Sequence, residues 1–162
     1  MLHEENIDEP AFDALFRDMA LRGTFLVPTM VVTAKPMPLP ISAVDIRSLQ
    51  FGNKLVRRAY ELGVKVGAGT DAGAPELCHG WALHAEIALM VNDQGIPAVE
   101  AIKAATLVNA ELAEISDKAG SVEPGKRADL VVLSANPVDD ILNTMKIEQV
   151  MLAGRFIDRE PK

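Results

Sequence analysis

The residue of this chain best suited to chemistry is Asp71, which stands at the end of a short apolar run. The run Val64–Gly69 combines β-branched residues with two glycines, a pattern typical of a buried strand that other segments approach closely. Small residues and Pro75 then open a loop. In parallel α/β proteins, chemistry is concentrated at the carboxyl ends of strands, where a carboxylate can bind a metal ion or move a proton. The alternative is a structural aspartate that caps the loop after a strand.

Two histidines and a cysteine follow this aspartate closely in the sequence. His79 precedes a glycine at the predicted start of a helix, so it either contacts substrate beside the Asp71 loop or is a polar loop residue. His84 falls inside that helix and is predicted to be structural. Cys78 has no histidine–acid partner at a known catalytic spacing, so it is predicted to be inert.

A strand–helix–strand unit is predicted to position Asp71. The segment Thr24–Val27 is predicted to be a short buried strand, and Val64–Thr70 is the strand that leads to Asp71. Between them, a helix is predicted to start at Asp45 and to stop at Gly63. Because the links are short, the two strands are expected to pair in parallel with a right-handed crossover.

Further helices are predicted on both sides of this unit. The first is capped by Asp8, and its apolar residues recur at helical spacing. Three others begin near Trp81, Pro97 and Asn109. Residues 30–40 contain three prolines and no periodic pattern, so a loop over an open end of the fold is predicted there.

The character of the sequence changes near residue 120. The segment Gly120–Lys126 is rich in turn residues, and strands are predicted at Ala128–Leu133 and Glu148–Leu152. A helical turn is predicted at Asp139–Thr144. Short strands after an α/β segment indicate a second structural unit that begins near Ser121.

Composition restricts the class of protein. The chain has 162 residues, 49% hydrophobic and 24% charged, as expected for a soluble globular protein with a real core. Its net charge of −7 argues against a nucleic-acid-binding protein, which would carry a basic stripe. The single cysteine excludes an internal disulfide and favours a reducing compartment. Because there is neither a membrane-spanning apolar run nor a signal-peptide pattern, a cytoplasmic location without a membrane partner is expected.

Several motifs together resemble the amidohydrolase superfamily. They are Gly-Thr-Asp-Ala-Gly at Gly69–Gly73, the pair His79-Gly80, and the segments Ala101–Asn109 and Gly120–Leu133. The last segment is the most specific, because several constrained turn residues fall at fixed spacing. The sequence is most similar to the imidazolonepropionase-like and prolidase-like metal hydrolases, and the resemblance covers essentially the whole chain.

The resemblance implies an α/β fold that is the C-terminal portion of a (β/α)8 barrel followed by strands of a small β-sandwich. Residues 1–120 would supply barrel strands six to eight with their helices, and residues 121–162 would supply part of a composite β-sandwich. A barrel of this type needs about 200 residues or more, so this chain cannot close one. Two exposed sheet edges are therefore expected, and such edges favour pairing with another chain.

The resemblance also implies roles for individual residues. Asp71 matches the metal ligand of the eighth strand, which takes a proton from the attacking water. His3 matches the metal-binding histidine of the sixth strand, the alternative being a surface histidine near the terminus. His79 is placed where it could bind substrate. The sequence has no His-x-His pair, and the remaining family ligands would lie before Met1. Because a catalytic zinc usually takes three protein ligands, the chain alone is not expected to hold one.

Three hypotheses about function follow. In the first, the chain is the C-terminal part of a zinc-dependent hydrolase of carbon–nitrogen bonds in cyclic amide or dipeptide-like substrates, and is active only with the missing N-terminal part. In the second, it is a non-catalytic fragment that self-associates. In the third, it is an assembly module that reuses the α/β segment. A neighbouring coding region with a His-x-His pair would favour the first.

Overall fold

The computed structural model describes residues 9–34, 43–73 and 77–158 of the chain. These residues form a mixed α/β fold with one parallel and one antiparallel sheet, and they do not make a closed barrel. His3 and the predicted helix cap Asp8 lie outside the described residues.

The N-terminal half contains the predicted parallel pair of strands. Its elements are α1 (Glu9–Leu21), β1 (Phe25–Leu26), α2 (Met30–Ala34), α3 (Ala43–Glu61) and β2 (Lys65–Val66). The two strands pair in parallel, with Phe25 opposite Lys65 and Leu26 opposite Val66, which confirms the prediction. Both strands are shorter than predicted, and β1 is only half-buried.

The helix α2 corrects the prediction of a loop over residues 30–40. Met30–Ala34 form one helical turn and a little more, in a run of β-branched residues that is a poor helix former on its own. Tertiary contacts override that propensity, because Met30 and Val31 are buried and their backbone N–H groups are bonded to a side chain of a distant helix. The remaining residues of the predicted loop, 35–40, lie outside the described residues.

The helices after β2 follow the predicted order. They are α4 (Trp81–Asn92), α5 (Ala98–Lys103), a π-helical segment (Ala104–Val108) and α6 (Asn109–Leu112). The bounds of α4 coincide with those predicted from the sequence. The π-helical segment was not predicted, and α6 ends three residues before the predicted Ile115.

The C-terminal part contains the predicted short strands. Its elements are β3 (Leu130–Leu133), a 3-10 helix (Ile141–Met145), β4 (Ile147–Leu152) and β5 (Arg155–Phe156). The three strands form an antiparallel sheet in the order β3-β4-β5. The 3-10 helix packs against α4 and so connects this sheet to the rest of the chain.

The largest buried cluster surrounds β2. Val66 and the following Ala68 pack with residues of α4, α5 and the π-helical segment, among them Ile87 and Met90. A second cluster, centred on Phe16, joins α1 to α3. Not every apolar residue of these helices joins a cluster, since Leu15 of α1 is 50% exposed and Ile46 of α3 is 48% exposed.

An ion pair at the surface also joins α1 to α3. The Nε atom of Arg58 donates to Oδ1 of Asp13 at 2.7 Å. This hydrogen bond holds the pKa of the Asp13 carboxyl below its usual range.

In the ranges that the structure describes, no helix is long and apolar enough to cross a membrane.

Candidate functional site

The candidate site is the loop that carries Asp71 at the end of β2. Asp71 is exposed and has a φ of +51°, a left-handed conformation that aspartate tolerates better than most residues. The preceding Thr70 stabilises the turn, because its Oγ1 accepts a hydrogen bond from the Ala72 N–H at 3.1 Å. The carboxylate is thus displayed at the surface by a structured turn.

Gly69 brings the ends of the two parallel strands into contact. A Cβ at this position would lie 2.4 Å from Cγ1 of Val27 and 2.9 Å from Cγ2 of Thr29. Both distances are shorter than real Cβ contacts allow, and both neighbours are stiff β-branched side chains. The close approach predicted from the sequence is therefore present, and the residues after β1 press directly on the chain that leads to Asp71.

Asn109 holds the outer edge of the same segment. The Gly67 N–H donates to the Leu26 carbonyl of β1 at 2.9 Å, so the next residue, Ala68, turns its backbone groups to the opposite side. There the Ala68 carbonyl accepts from Nδ2 of Asn109 at 2.8 Å, and the Ala68 N–H donates to the Ala104 carbonyl at 3.4 Å. The backbone groups of Ala68, beyond β2, are therefore bonded within the chain, and the expectation of two exposed sheet edges stays a prediction.

Glu86 links α4 to the start of α2. Its side chain has no exposed surface, and its two oxygens accept from the backbone N–H groups of Met30 at 3.1 Å and Val31 at 2.7 Å. Burial raises the pKa of the Glu86 carboxyl, and the two hydrogen bonds act in the opposite direction. A buried carboxylate is tolerated only where it is hydrogen-bonded, and here it satisfies donors that a helix start leaves free.

His79 lies beside the Asp71 loop, as the sequence predicted. A Cβ on Gly73 would come within 3.9 Å of His79 Nε2, so the imidazole lies against the end of that loop. The His79 carbonyl accepts from the N–H of Trp81, the exposed first residue of α4. The neighbouring Cys78 is a free, exposed thiol. The structure therefore brings His79 and the Asp71 loop together.

His84 lies three residues after Trp81 in α4. It lines a cavity of about 320 Å³ together with Val31, Trp81, Leu142 and others. Burial lowers the pKa of its imidazole, and its Nδ1 has no hydrogen-bond partner among the described residues. A structural role for His84 stays a prediction.

The described residues do not fit a metal ion by themselves. Within residues 9–34, 43–73 and 77–158, no group of three or more His, Cys, Asp or Glu side chains could hold one. A catalytic zinc usually takes three protein ligands, whereas this loop offers the carboxylate of Asp71. A metal ion at this position would require ligands from outside the described part.

The sequence match decides the family. Residues 3–157 match the Amidohydrolase family. The chain belongs to this family. Among solved structures it is similar to a putative prolidase from Bifidobacterium longum, with 32% identity and a TM-score of 0.75, covering 94% of this chain and 40% of that one. It is also similar to a Xaa-Pro dipeptidase with bound methionine in its active site, with 32% identity, a TM-score of 0.73 and coverage of 96% and 39%.

A curated relative points to the second branch named from the sequence. The imidazolonepropionase of Thermoplasma acidophilum is 36% identical over 87 residues, which are 52% of this chain and 20% of that protein. The resemblance to imidazolonepropionase-like and prolidase-like amidohydrolases is thereby confirmed. The chain spans about 40% of the length of the solved relatives and a fifth of the curated one. The family is typically metal-dependent.

Sequence reasoning missed two residues that shape this site, Glu86 and Asn109. A signal for Glu86 was present, since it is the one carboxylate in the largely apolar helix α4. Asn109 gave no comparable signal, because its partner is 41 residues away and an asparagine in a helix usually lies at the surface.

Proposed function

We propose that this chain is the C-terminal part of a metal-dependent hydrolase that acts on carbon–nitrogen bonds in cyclic amide or dipeptide-like substrates. The observation that carries the proposal is an exposed aspartate on a structured turn directly after a parallel strand, in a chain of the Amidohydrolase family. The named relatives, a prolidase, a Xaa-Pro dipeptidase and an imidazolonepropionase, support this substrate class.

In this proposal, residues 1–120 correspond to barrel strands six to eight and residues 121–162 to part of a composite β-sandwich. Asp71 accepts the proton of the attacking water and passes it to the leaving nitrogen, which is the ordinary task of a general base near the reacting bond. His79, beside the same loop, contacts substrate. His3 and Asp71 contribute to a zinc site that is completed by groups from the part of the relatives that this chain does not cover.

The test is complementation in trans. The chain is mixed with the N-terminal 60% or so of a prolidase relative, and bound metal and hydrolysis of Xaa-Pro dipeptides and cyclic amides are measured. We expect metal binding and turnover from the mixture, and loss of turnover by about a hundredfold or more in Asp71→Asn. Asp139→Asn, an exposed aspartate in the C-terminal unit, is the matched control and should retain activity.

The chain alone provides the converse measurement. We expect no tightly bound zinc and no turnover, and an unfolding free energy that Asp71→Asn leaves nearly unchanged, because the carboxylate is exposed. Stoichiometric zinc or turnover by the chain alone, abolished in Asp71→Asn, would show that the account of the absent ligands is wrong.

A non-catalytic assembly module is the second candidate. It is favoured by apolar side chains exposed on both faces of the β3-β4-β5 sheet. Val131 and Leu152 are each 55% exposed on one face, and Phe156 is 60% exposed on the other. Exposed apolar surface of this kind marks interfaces. A stable complex with the supplied N-terminal part that binds no metal and hydrolyses none of the substrates would favour this candidate over the first.

A further inference from the structure

The residue between β1 and α2 is held in an unfavourable backbone conformation. Thr29 has a φ of +48°, which is rare for a β-branched residue and persists only when the surroundings determine it. The next two residues are Met30 and Val31, whose N–H groups are fixed by the carboxylate of Glu86. The strained residue therefore lies between the end of a strand and a pair of charge-assisted hydrogen bonds.

The same threonine touches the segment that leads to the candidate site. Its Cγ2 lies so near Gly69 that a Cβ there would be only 2.9 Å away. Asp71 follows two residues later, and the chain then continues through the His79 turn into α4, which carries Glu86. Glu86 thus closes a ring of contacts, from the Asp71 loop through α4 and Thr29 back to Gly69.

We propose that Glu86 is a positioning residue that holds the ends of β1 and β2 together and thereby fixes the Asp71 loop. Its two oxygens set the start of α2, the start of α2 sets Thr29, and Thr29 presses on the segment before Asp71. The role follows from the chain's own contacts. Only its bearing on hydrolysis rests on the function proposed above.

The chemistry of the side chain explains why an apolar residue would not serve. A leucine of similar size would leave two buried N–H groups unpaired, which is more costly than the loss of an ordinary hydrogen bond. A glutamine would fit the same space and keep one oxygen as an acceptor, while its NH2 group would face the second N–H. Glu86→Leu and Glu86→Gln therefore give a full and a partial loss of the same contact.

The experiment records backbone amide NMR signals and amide hydrogen exchange of the full chain. In Glu86→Leu we expect exchange at Met30 and Val31 to accelerate about tenfold or more, and the amide signals of Gly69 to Ala72 to shift with them. In Glu86→Gln we expect smaller changes at the same residues. If Glu86→Leu does not fold, the Glu86→Gln measurement alone decides, because that variant keeps the shape of the side chain.

The control is Phe16→Leu, which weakens the second buried cluster, formed by Phe16, Ala59 and Val64 with their neighbours. At an equal loss of unfolding free energy, it should leave the signals of Gly69 to Ala72 in place. Unchanged signals at Gly69 to Ala72 in the Glu86 variants, or equal shifts in Phe16→Leu, would overturn the proposal and reduce Glu86 to a local cap of α2. Because no activity is measured, failure of the complementation experiment and failure of this one are distinguishable.

Discussion

Gly67 illustrates how tightly single residues are fitted around β2. A Cβ on Gly67 would lie 2.6 Å from Oδ1 of Asn109, an atom that is buried and already oriented by the Asn109–Ala68 hydrogen bond. We expect Gly67→Ala to lower the unfolding free energy by about 1–3 kcal/mol, because the Asn109 side chain cannot move away without losing its hydrogen bond to Ala68. Urea denaturation monitored by circular dichroism measures this.

A second glycine offers a matched comparison. In Gly52→Ala, the new Cβ would meet the Cε atom of Met30, the end of a flexible side chain, and the residue lies inside α3. The gain in helix propensity, about 1 kcal/mol, should offset the cost of moving that methyl group. If both alanine variants lose the same stability, close packing against Asn109 is not what makes Gly67 necessary.

Glu86 should also impose a pH dependence on stability. Burial raises the pKa of its carboxyl above the ordinary value of 4.5. The folded chain therefore binds this proton more tightly than the unfolded chain does, and the group's contribution to stability falls as the pH rises from 4.5 through the raised pKa. We expect the unfolding free energy of the wild type to decline over this interval relative to that of Glu86→Gln.

Asp13, an acid with a lowered pKa, affects stability in a different pH interval. Asp13, whose pKa is lowered by its hydrogen bond with Arg58, contributes stability above its ordinary value of 3.8 that is lost as the pH falls below it. Urea denaturation of the wild type and of Glu86→Gln, measured at pH values from about 4 upward, separates the two effects. In this interval the contribution of Asp13 stays constant while that of Glu86 changes. Parallel curves for the wild type and Glu86→Gln would contradict the assigned pKa shift.

At the scale of the elements, α6 is attached to the β2 segment by the Lys65–Glu111 ion pair and by the hydrogen bond from Asn109 to the Ala68 carbonyl. Asn109→Ala removes the donor to the part-buried Ala68 carbonyl, and we expect a loss of about 1–3 kcal/mol in unfolding free energy. Asn109→Asp should be at least as destabilising, because a carboxylate oxygen would then face the carbonyl oxygen. Asn92→Ala, at the exposed end of α4, is the control and should be nearly neutral.

The elements predicted correctly are those with a local signal. The helix Trp81–Asn92 was predicted with its observed bounds, because Gly80 precedes it and Gly95 follows its end. The helix α2 was missed because its formation depends on Glu86, which lies 55 residues away from Val31. The strands β1 and β2 were predicted too long, because the sequence pattern reflects burial whereas the observed bounds reflect backbone pairing, which stops after two residues.

For the candidate site, as for the elements, the residues with a local sequence signal were selected and those that depend on distant contacts were not. Asp71 and His79 were selected from residue type and spacing, and the structure places His79 against the loop that carries Asp71. The residues that support this loop, Glu86 and Asn109, contact backbone groups of other elements, and no spacing in one sequence reveals such a pairing. The roles of Asp71, His3 and His79 in catalysis or metal binding stay predictions.

At the scale of the whole molecule, exposed apolar surface and an open strand edge predict association. Gly67 bonds to the Leu26 carbonyl, so Phe25 and Val27 turn their backbone groups away from β2, and Val27 is 37% exposed. The C-terminal sheet adds apolar side chains on both of its faces. We expect light scattering at micromolar concentration to detect a dimer or larger species. A compact, well-folded monomer would contradict this.

The position of Trp81 makes the chain its own fluorescent reporter. Trp81 is the single tryptophan of the sequence, it is 53% exposed, and it stands two residues after His79 at the start of α4. We therefore expect its emission to be red-shifted and open to soluble quenchers while that surface is free, and both properties to change when another polypeptide covers it. Fluorescence-monitored titrations would then follow docking at the start of α4 without any label.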